Sequence, residues 1–389
     1  MNKKSFQWPS YSDNEIKVVS EILKSGKVNY WTGSWGQKFE KNFADLVGAS
    51  YSIALSNGTV ALELAIESLQ LKEGMEILLS PRSFFASVSA IVRAGLKPVF
   101  VDVDLDSGNI LPEKIVEKIT NKTAAIMTIH ISGWPSEMKE ILQICKENNL
   151  FLIEDCAQAH GACYQNKSVG SFGDISAWSF CQDKIISTGG EGGAITTNCS
   201  DLYERAWSIK DHGKKREDFV NRKFSCSHRF IHHSFGTNYR MTEIQSAIGF
   251  IQLGFLKDWN NKRKLIANQI FETAKQYSLF RVPEIPGYIQ HAFYRAVIYL
   301  RPERLKESWN IEKVCTFLNS KVNLFSRGPC PEMYLEPAFS KDYRLLESLP
   351  NAKQLGQTTI MVLINPNLSD KDISSIKNAI HQLAEQATT

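Results

Sequence analysis

Phe151-Leu152-Ile153-Glu154-Asp155-Cys156-Ala157-Gln158 joins a short apolar run to a carboxylate pair and a polar turn. An apolar run of this length reads as a strand covered on both faces, the kind of strand found in parallel sheets. The pattern recurs on both sides of it. Residues 52–55, 77–79, 98–103, 124–130, 175–179 and 194–197 are further candidate strands, with helix-like segments between several of them. From about residue 50 to 200 this alternation predicts an α/β fold of βαβ units around a mainly parallel sheet.

Met138, Ile141, Leu142 and Cys145 recur at three- and four-residue spacing, which predicts a helix with one buried face. A second helix is expected after Thr242, a good N-cap, with Ile244, Ala247, Ile248 and Ile251 on one stripe. Beyond about residue 260 the pattern is less regular and is broken by Pro283, Pro286, Pro302, Pro329, Pro331 and Pro337. The expected division is a large domain over residues 1–255 and a smaller C-terminal one over 256–389. A chain of 389 residues is long enough for two such cores.

Composition narrows the function classes. The 45 basic and 41 acidic residues leave a net charge of +4, too even for the strong field that sequence-independent nucleic-acid binding needs. The 8 cysteines include no Cys-x-x-Cys pair and read as reduced thiols. Met1-Asn2-Lys3-Lys4 has no apolar segment behind it, and no stretch is long and apolar enough to span a bilayer. A cytoplasmic protein with neither nucleic-acid nor membrane partners is expected.

Three clusters carry chemistry. In Trp178-Ser179-Phe180-Cys181-Gln182-Asp183-Lys184, a lysine sits just past a strand end, and Gly189-Gly190-Glu191-Gly192-Gly193 follows. Glycines let backbone approach a ligand closely or take positive φ. A partly desolvated lysine there is an amine nucleophile toward an aldehyde; taken alone, it reads as a solvated loop lysine. Asp155 ends a candidate parallel strand, where α/β proteins bind ligands, although a turn carboxylate would look the same. Leu55-Ser56-Asn57-Gly58-Thr59 ends an apolar run and opens a helix, so its free amides form an anion cradle, with plain capping by Asn57 or Thr59 as the other reading. Lysine and acidic group together are what pyridoxal phosphate requires: the first for its aldehyde, the second for its ring nitrogen.

With these motifs in the order phosphate loop, carboxylate, lysine, the chain resembles the DegT/DnrJ/EryC1/StrS family of sugar aminotransferases, from Tyr30-Trp31-Thr32-Gly33 to Leu256 and more loosely beyond. The resemblance implies the aspartate-aminotransferase fold, fold type I, with a mainly parallel seven-stranded sheet in the large domain and a smaller α+β domain. It implies that Lys184 is the Schiff-base lysine, Asp155 the pyridinium partner and Gln158 the side chain beside the ring hydroxyl. Gly58, Thr59 and Ser179 fall at phosphate-binding positions. Phe84 falls where the family sets an aromatic ring against the cofactor, with a buried core phenylalanine as the alternative. In Gly236-Thr237-Asn238-Tyr239-Arg240-Met241, Asn238 matches an asparagine that reaches the neighbouring subunit's cofactor phosphate, so a homodimer with shared sites is implied; a turn asparagine is the plain reading.

The activity so implied is amino transfer from L-glutamate, through pyridoxamine phosphate, to a nucleotide-linked keto-sugar. A dTDP-linked 4-keto-6-deoxyhexose would give a 4-amino-4,6-dideoxy sugar for surface polysaccharide such as O-antigen, with a UDP- or GDP-linked sugar, or a 3-keto sugar, as the alternatives. Related dehydratases carry histidine at the lysine position, against Lys184 here, and the regulatory relatives would call for a basic or helix-turn-helix appendage that the sequence lacks. The segment Ser326-Arg327-Gly328-Pro329-Cys330-Pro331-Glu332-Met333-Tyr334 departs from the histidine- and tyrosine-rich family version. Cys226, His228, His232 and His233 lack a second pair at metal spacing, so no metal is expected. Lys214, Lys215, Arg216, Arg222, Lys223 and Arg229 form a basic loop, either solvated or able to hold a diphosphate.

Overall fold

The apolar runs of the N-terminal half assemble into one seven-stranded sheet in a computed structural model that describes residues 7–220, 230–328, 331–339 and 349–389. Its strands are β1 (Tyr51–Leu55), β2 (Glu76–Leu79), β3 (Lys97–Phe100), β4 (Thr123–Ile129), β5 (Phe151–Asp155), β6 (Ile175–Ser179) and β7 (Gly193–Thr197), in the spatial order β1-β7-β6-β5-β4-β2-β3. From β3 through β2, β4 and β5 to β6 each pair is parallel, whereas β7 runs antiparallel to both β6 and β1. Every expected strand is present. The run at 98–103 is shortened to Phe100, because Val103 leaves the sheet to bridge Ile110.

Side-chain alternation along the strands sorts the core into two layers. The helices α1 (Asp13–Ser25) and α2 (Trp35–Val47) precede β1, and Ile77 and Leu79 of β2 face a cluster with Leu64 and Ile66 of α3 (Gly58–Ser68), and Val88 and Ile91 of α4 (Ala86–Arg93). Leu78 faces the other way, onto Met138, Ile141 and Cys145 of α5 (Met138–Asn148), the stripe that the spacing predicts. α6 (Glu243–Leu253) starts at N-cap Thr242, whose side chain and that of Gln245 satisfy each other's backbone amides in a capping box. It stops before Gly254, and α7 (Leu256–Ala274) follows.

The C-terminal third builds an antiparallel sheet from β8 (Phe280–Arg281), β9 (Ala296–Leu300), β10 (Phe325–Ser326) and β11 (Thr359–Val362), ordered β8-β9-β11-β10. Its own core joins Ile298 and Ile360 to Ile270 of α7, Leu318 of α8 (Ile311–Lys321) and Ile380 of α9 (Asp370–Ala387). No described helix is long and apolar enough to cross a membrane. In the large sheet, β1, β5 and β6 point the same way, so Leu55, Asp155 and Ser179 end together at one edge.

Candidate active site

At that edge β1 runs into α3 through Asn57. The Asn57 Oδ1 accepts from the Val60 amide (3.0 Å) and caps the helix, while the first-turn amides of Gly58 and Thr59 have no intrahelical acceptor. The positive end of an 11-residue helix thus faces the cavity beside the sheet edge, an arrangement that favours an anion. Glycine is required at 58 by packing: a Cβ there would lie 2.5 Å from the Ser179 Cβ and 3.1 Å from its Cα. Gly58→Ala is therefore expected to push α3 off β6, costing about 1–3 kcal/mol of stability and weakening phosphate affinity. Thermal unfolding and cofactor titration of the variant measure both.

Asp155, the last residue of β5, is 5% exposed. Its Oδ2 accepts from Ser87 Oγ on α4 (2.8 Å) and its Oδ1 from the Ala157 amide (3.1 Å). Burial pushes its pKa up, and these hydrogen bonds only partly offset the rise, so the site favours a positive partner for the carboxylate. Glu154 alternates to the other side and has a structural part. Its oxygens accept from the Gly170, Phe172 and Gly173 amides, from Ser176 Oγ and from His130 Nε2 (3.1 Å). Although burial acts to raise the Glu154 pKa, these partners bring it below the usual carboxylate value.

Lys184 lies on the loop after β6, its side chain 13% exposed. Its backbone is fixed, since its amide donates to Cys181 O (3.0 Å) and its carbonyl accepts from Trp8 Nε1 (2.8 Å). The Nζ lies 3.4 Å from the Tyr294 hydroxyl and 3.6 Å from Asp183 Oδ1. Gly189 and Gly190, at φ +87° and +118°, turn the chain back toward β7. Gln158 is held at the cavity wall by its Oε1, which accepts from the Ser132 amide (2.8 Å).

Gly58, Thr59, Phe84, Asp155, Gln158, Ser179 and Lys184 line one cavity of about 590 Å³. Phe84 is 58% exposed there, so the core alternative is not realised; its neighbour Phe85 packs into the core instead. Asn238 is exposed outside this cavity, with its Oδ1 accepting from the Arg240 amide (3.3 Å). Sequence reasoning missed Ser83, Ser87, Cys181, Asp183 and Glu191 on the wall, and Tyr294 and Arg295 behind Lys184. Ser87 lies in the first turn of α4 and Ser83 just ahead of it in the segment that contains Phe84, their hydroxyls 2.9 Å apart. A larger hollow of about 690 Å³ near Tyr11, Ile16 and Ile248 holds one carboxylate, Glu15, whose oxygens are taken by Ser12 and Gln252.

Of the other sequence candidates, Cys226, His228, Arg222, Lys223 and Arg229 lie outside the described residues, as do Pro329 and Cys330. His232 Nδ1 bonds His212 O (2.7 Å), and His233 pairs with Asp218 (2.7 Å). Lys214 pairs with Asp211 and Arg216 with Glu204, both at 2.9 Å. Among the described residues His130, Glu154 and Cys156 bring potential ligand atoms within 4.8 Å of one another, but His130 and Glu154 are engaged as above, and His130 Nδ1 also accepts from the Ser136 amide. The Met333 amide donates to Pro81 O (2.8 Å), so the turn at 331–335 sits beside the Phe84 segment.

An amine, a buried carboxylate that lacks a cation and a helix N-terminus, all at the C-terminal edge of one sheet, fit pyridoxal 5′-phosphate: aldehyde, ring nitrogen and phosphate each find their partner. Fold and site together define a fold type I pyridoxal-phosphate enzyme. The chain belongs to the DegT/DnrJ/EryC1/StrS aminotransferase family, whose model matches residues 9–381. It is 34% identical over 374 residues to a GDP-perosamine synthase of Escherichia coli O157:H7, covering 96% of each chain. It is 32% identical to a dTDP-3-amino-3,6-dideoxy-alpha-D-galactopyranose transaminase of Aneurinibacillus thermoaerophilus, again over 96% of each. An aminotransferase from Psychrobacter cryohalolentis, known from its X-ray structure, superposes with a TM-score of 0.94 at 41% identity over 98% of both chains. The protein is a pyridoxal-phosphate-dependent sugar aminotransferase.

Proposed function

We propose that this enzyme moves the amino group of L-glutamate to a dTDP-linked 4-keto-6-deoxyhexose in the cytoplasm, making a 4-amino-4,6-dideoxy sugar for surface polysaccharide such as O-antigen. The observation that carries the amino-transfer part of this reading is the convergence of Lys184, Asp155 and the α3 N-terminus on one cavity. When bound, pyridoxal phosphate supplies an electron sink for the carbon that loses its proton. Lys184 Nζ is the group that would hold the cofactor through its aldehyde. The Lys184 amine, when free, would take the proton from the donor's Cα and, in the second half-reaction, would deliver one to the former keto carbon of the sugar. Asp155 keeps the proton on the ring nitrogen. The Gly58 and Thr59 amides, with the Thr59 and Ser179 hydroxyls, hold the phosphate, while Phe84 and Gln158 fix the ring's face and edge.

Incubation with glutamate and a panel of dTDP-, GDP- and UDP-linked 3-keto and 4-keto sugars, followed by mass spectrometry, tests the substrate. The reading expects the dTDP-4-keto-6-deoxy sugar to be aminated fastest, and preference for another panel member replaces it. The names of the two relatives set the dTDP and GDP arms of this panel.

The proposed active unit is a homodimer in which Asn238 reaches the partner's phosphate site, a role supported by its exposure outside its own cavity. The large and small domains then meet at 255/256, where α6 gives way to α7. Mixing inactive Lys184→Ala chains with inactive Asn238→Asp chains is expected to regenerate activity, because one site of each mixed dimer receives both intact residues. Aspartate sets a negative charge against the phosphate and so disables its parent. Verified mixed dimers without activity would return Asn238 to its own subunit.

A further inference from the structure

Behind Lys184, two consecutive residues reach in from the small sheet's side of the molecule. Tyr294, 6% exposed, donates its phenolic proton to Asp183 Oδ2. Arg295 Nη2 donates to the same oxygen (3.2 Å) and to the Tyr294 hydroxyl (3.0 Å), and its guanidinium lies 3.8 Å over the Tyr294 ring. With its proton spent on Asp183, the Tyr294 oxygen faces the Lys184 Nζ as an acceptor, 3.4 Å away, and Asp183 Oδ1 is 3.6 Å off. The Tyr294 carbonyl is in turn tied by the fully buried Arg263 Nη1 (3.4 Å). The amine therefore has a defined place to rest within reach of the cavity.

We propose that Asp183, Tyr294 and Arg295 are positioning residues that form a seat for the Lys184 amine whenever it is free, holding it beside a pair of opposed charges. This rests on the assignment of Lys184 as the cofactor lysine. The two charges answer a chemical need. A freed amine that must first accept and then release a proton is useless if locked as an ammonium against a lone carboxylate, and equally so if nothing stabilises its protonated form. Burial lowers the Lys184 pKa, and Tyr294 and Asp183 more than reverse this, while Arg295 pulls the other way. The remaining groups near the amine are neutral or common to every variant: burial drives His160 down to about 3, the Cys181 thiol is pushed up by burial, and Asp155 and Glu191 stay on the cavity wall.

The test reads the amine in the cofactor-free protein. Competitive labelling with an amine-reactive anhydride across pH, followed by peptide mass spectrometry, gives the titration midpoint of Lys184. Asp183→Asn is expected to move it to lower pH and Arg295→Gln to higher pH, each on the order of one pH unit. The double variant is expected to fall between the two, and because it leaves neither charge alone it keeps the test decisive if one single variant folds poorly. In the holoenzyme the visible absorbance band is expected to titrate with shifts of the same signs. Midpoints that stay still, or that move in one direction for both single variants, overturn the seat. Failure to trap cofactor on Lys184 would instead count against the catalytic assignment, since the labelling does not involve the cofactor.

Discussion

Lys184→Ala is expected to lower turnover by about 10⁴-fold, while the protein still folds and binds pyridoxal phosphate without a covalent bond. Among the described residues Lys184 is the only lysine lining the cavity, so no described neighbour can take over both anchoring and proton transfer. The nearby candidates fail on their own chemistry, because His160 is held neutral with a pKa of about 3 and burial keeps Cys181 as a thiol. Folding is spared because truncation strands no charge: Asp183 keeps Arg295 and Tyr294 as partners. That carboxylate is half exposed, so the loss of its contact with Lys184 costs about 1 kcal/mol or less. Single-turnover assays with glutamate, beside a thermal melt, check both halves of the expectation.

Asp155→Asn is expected to cost about a hundredfold or more in turnover, the usual scale for removing one well-aimed electrostatic partner. An amide cannot hold the ring proton by ion pairing, so the electron sink is weakened in both half-reactions. The site accommodates the change. Ser87 Oγ, which donates to Asp155 Oδ2, can turn to accept from an amide nitrogen and give its own proton to Ser83 Oγ, 2.9 Å away. In the cofactor-free protein the variant is expected to be at least as stable as the wild type at neutral pH. Burial raises the Asp155 pKa, so the folded state binds its proton more tightly than the unfolded one, and ionising it costs stability as pH rises through that window. The cost is fully present above the folded pKa, and asparagine removes it. Comparing thermal midpoints of the two apo proteins with their turnover separates this functional loss from a structural one.

The fold was legible where strands are buried on both faces, since such strands leave short apolar runs that turns and helices punctuate. β4, buried at every position, is the clearest case. The direction of β7 was not read from its own residues, which carry no sign of it; it follows from residues 180–192, which contain no helix to return the chain for a parallel pairing. Asp155, Gly58, Thr59, Ser179 and Lys184 could be read because Asp155 and Ser179 end strands, Gly58 and Thr59 open the helix after β1, and Lys184 follows β6, so chain position alone brings these residues toward one sheet edge. Tyr294 could not, because its contact with Lys184 spans 110 residues and depends on how the two sheets pack. Phe84 shows the same limit: beside Phe85 in one segment, only packing decides which ring enters the core and which stays 58% exposed at the cavity.

Reduction of the holoenzyme with borohydride, followed by proteolysis and mass spectrometry, bears most directly on the account, because the reduced lysine–cofactor bond survives digestion and marks its residue. The peptide carrying Lys184 is predicted to hold the phosphopyridoxyl group, and Lys184→Ala to carry none. The group on any other lysine, or its persistence in the variant, would contradict the assignment on which the site is built.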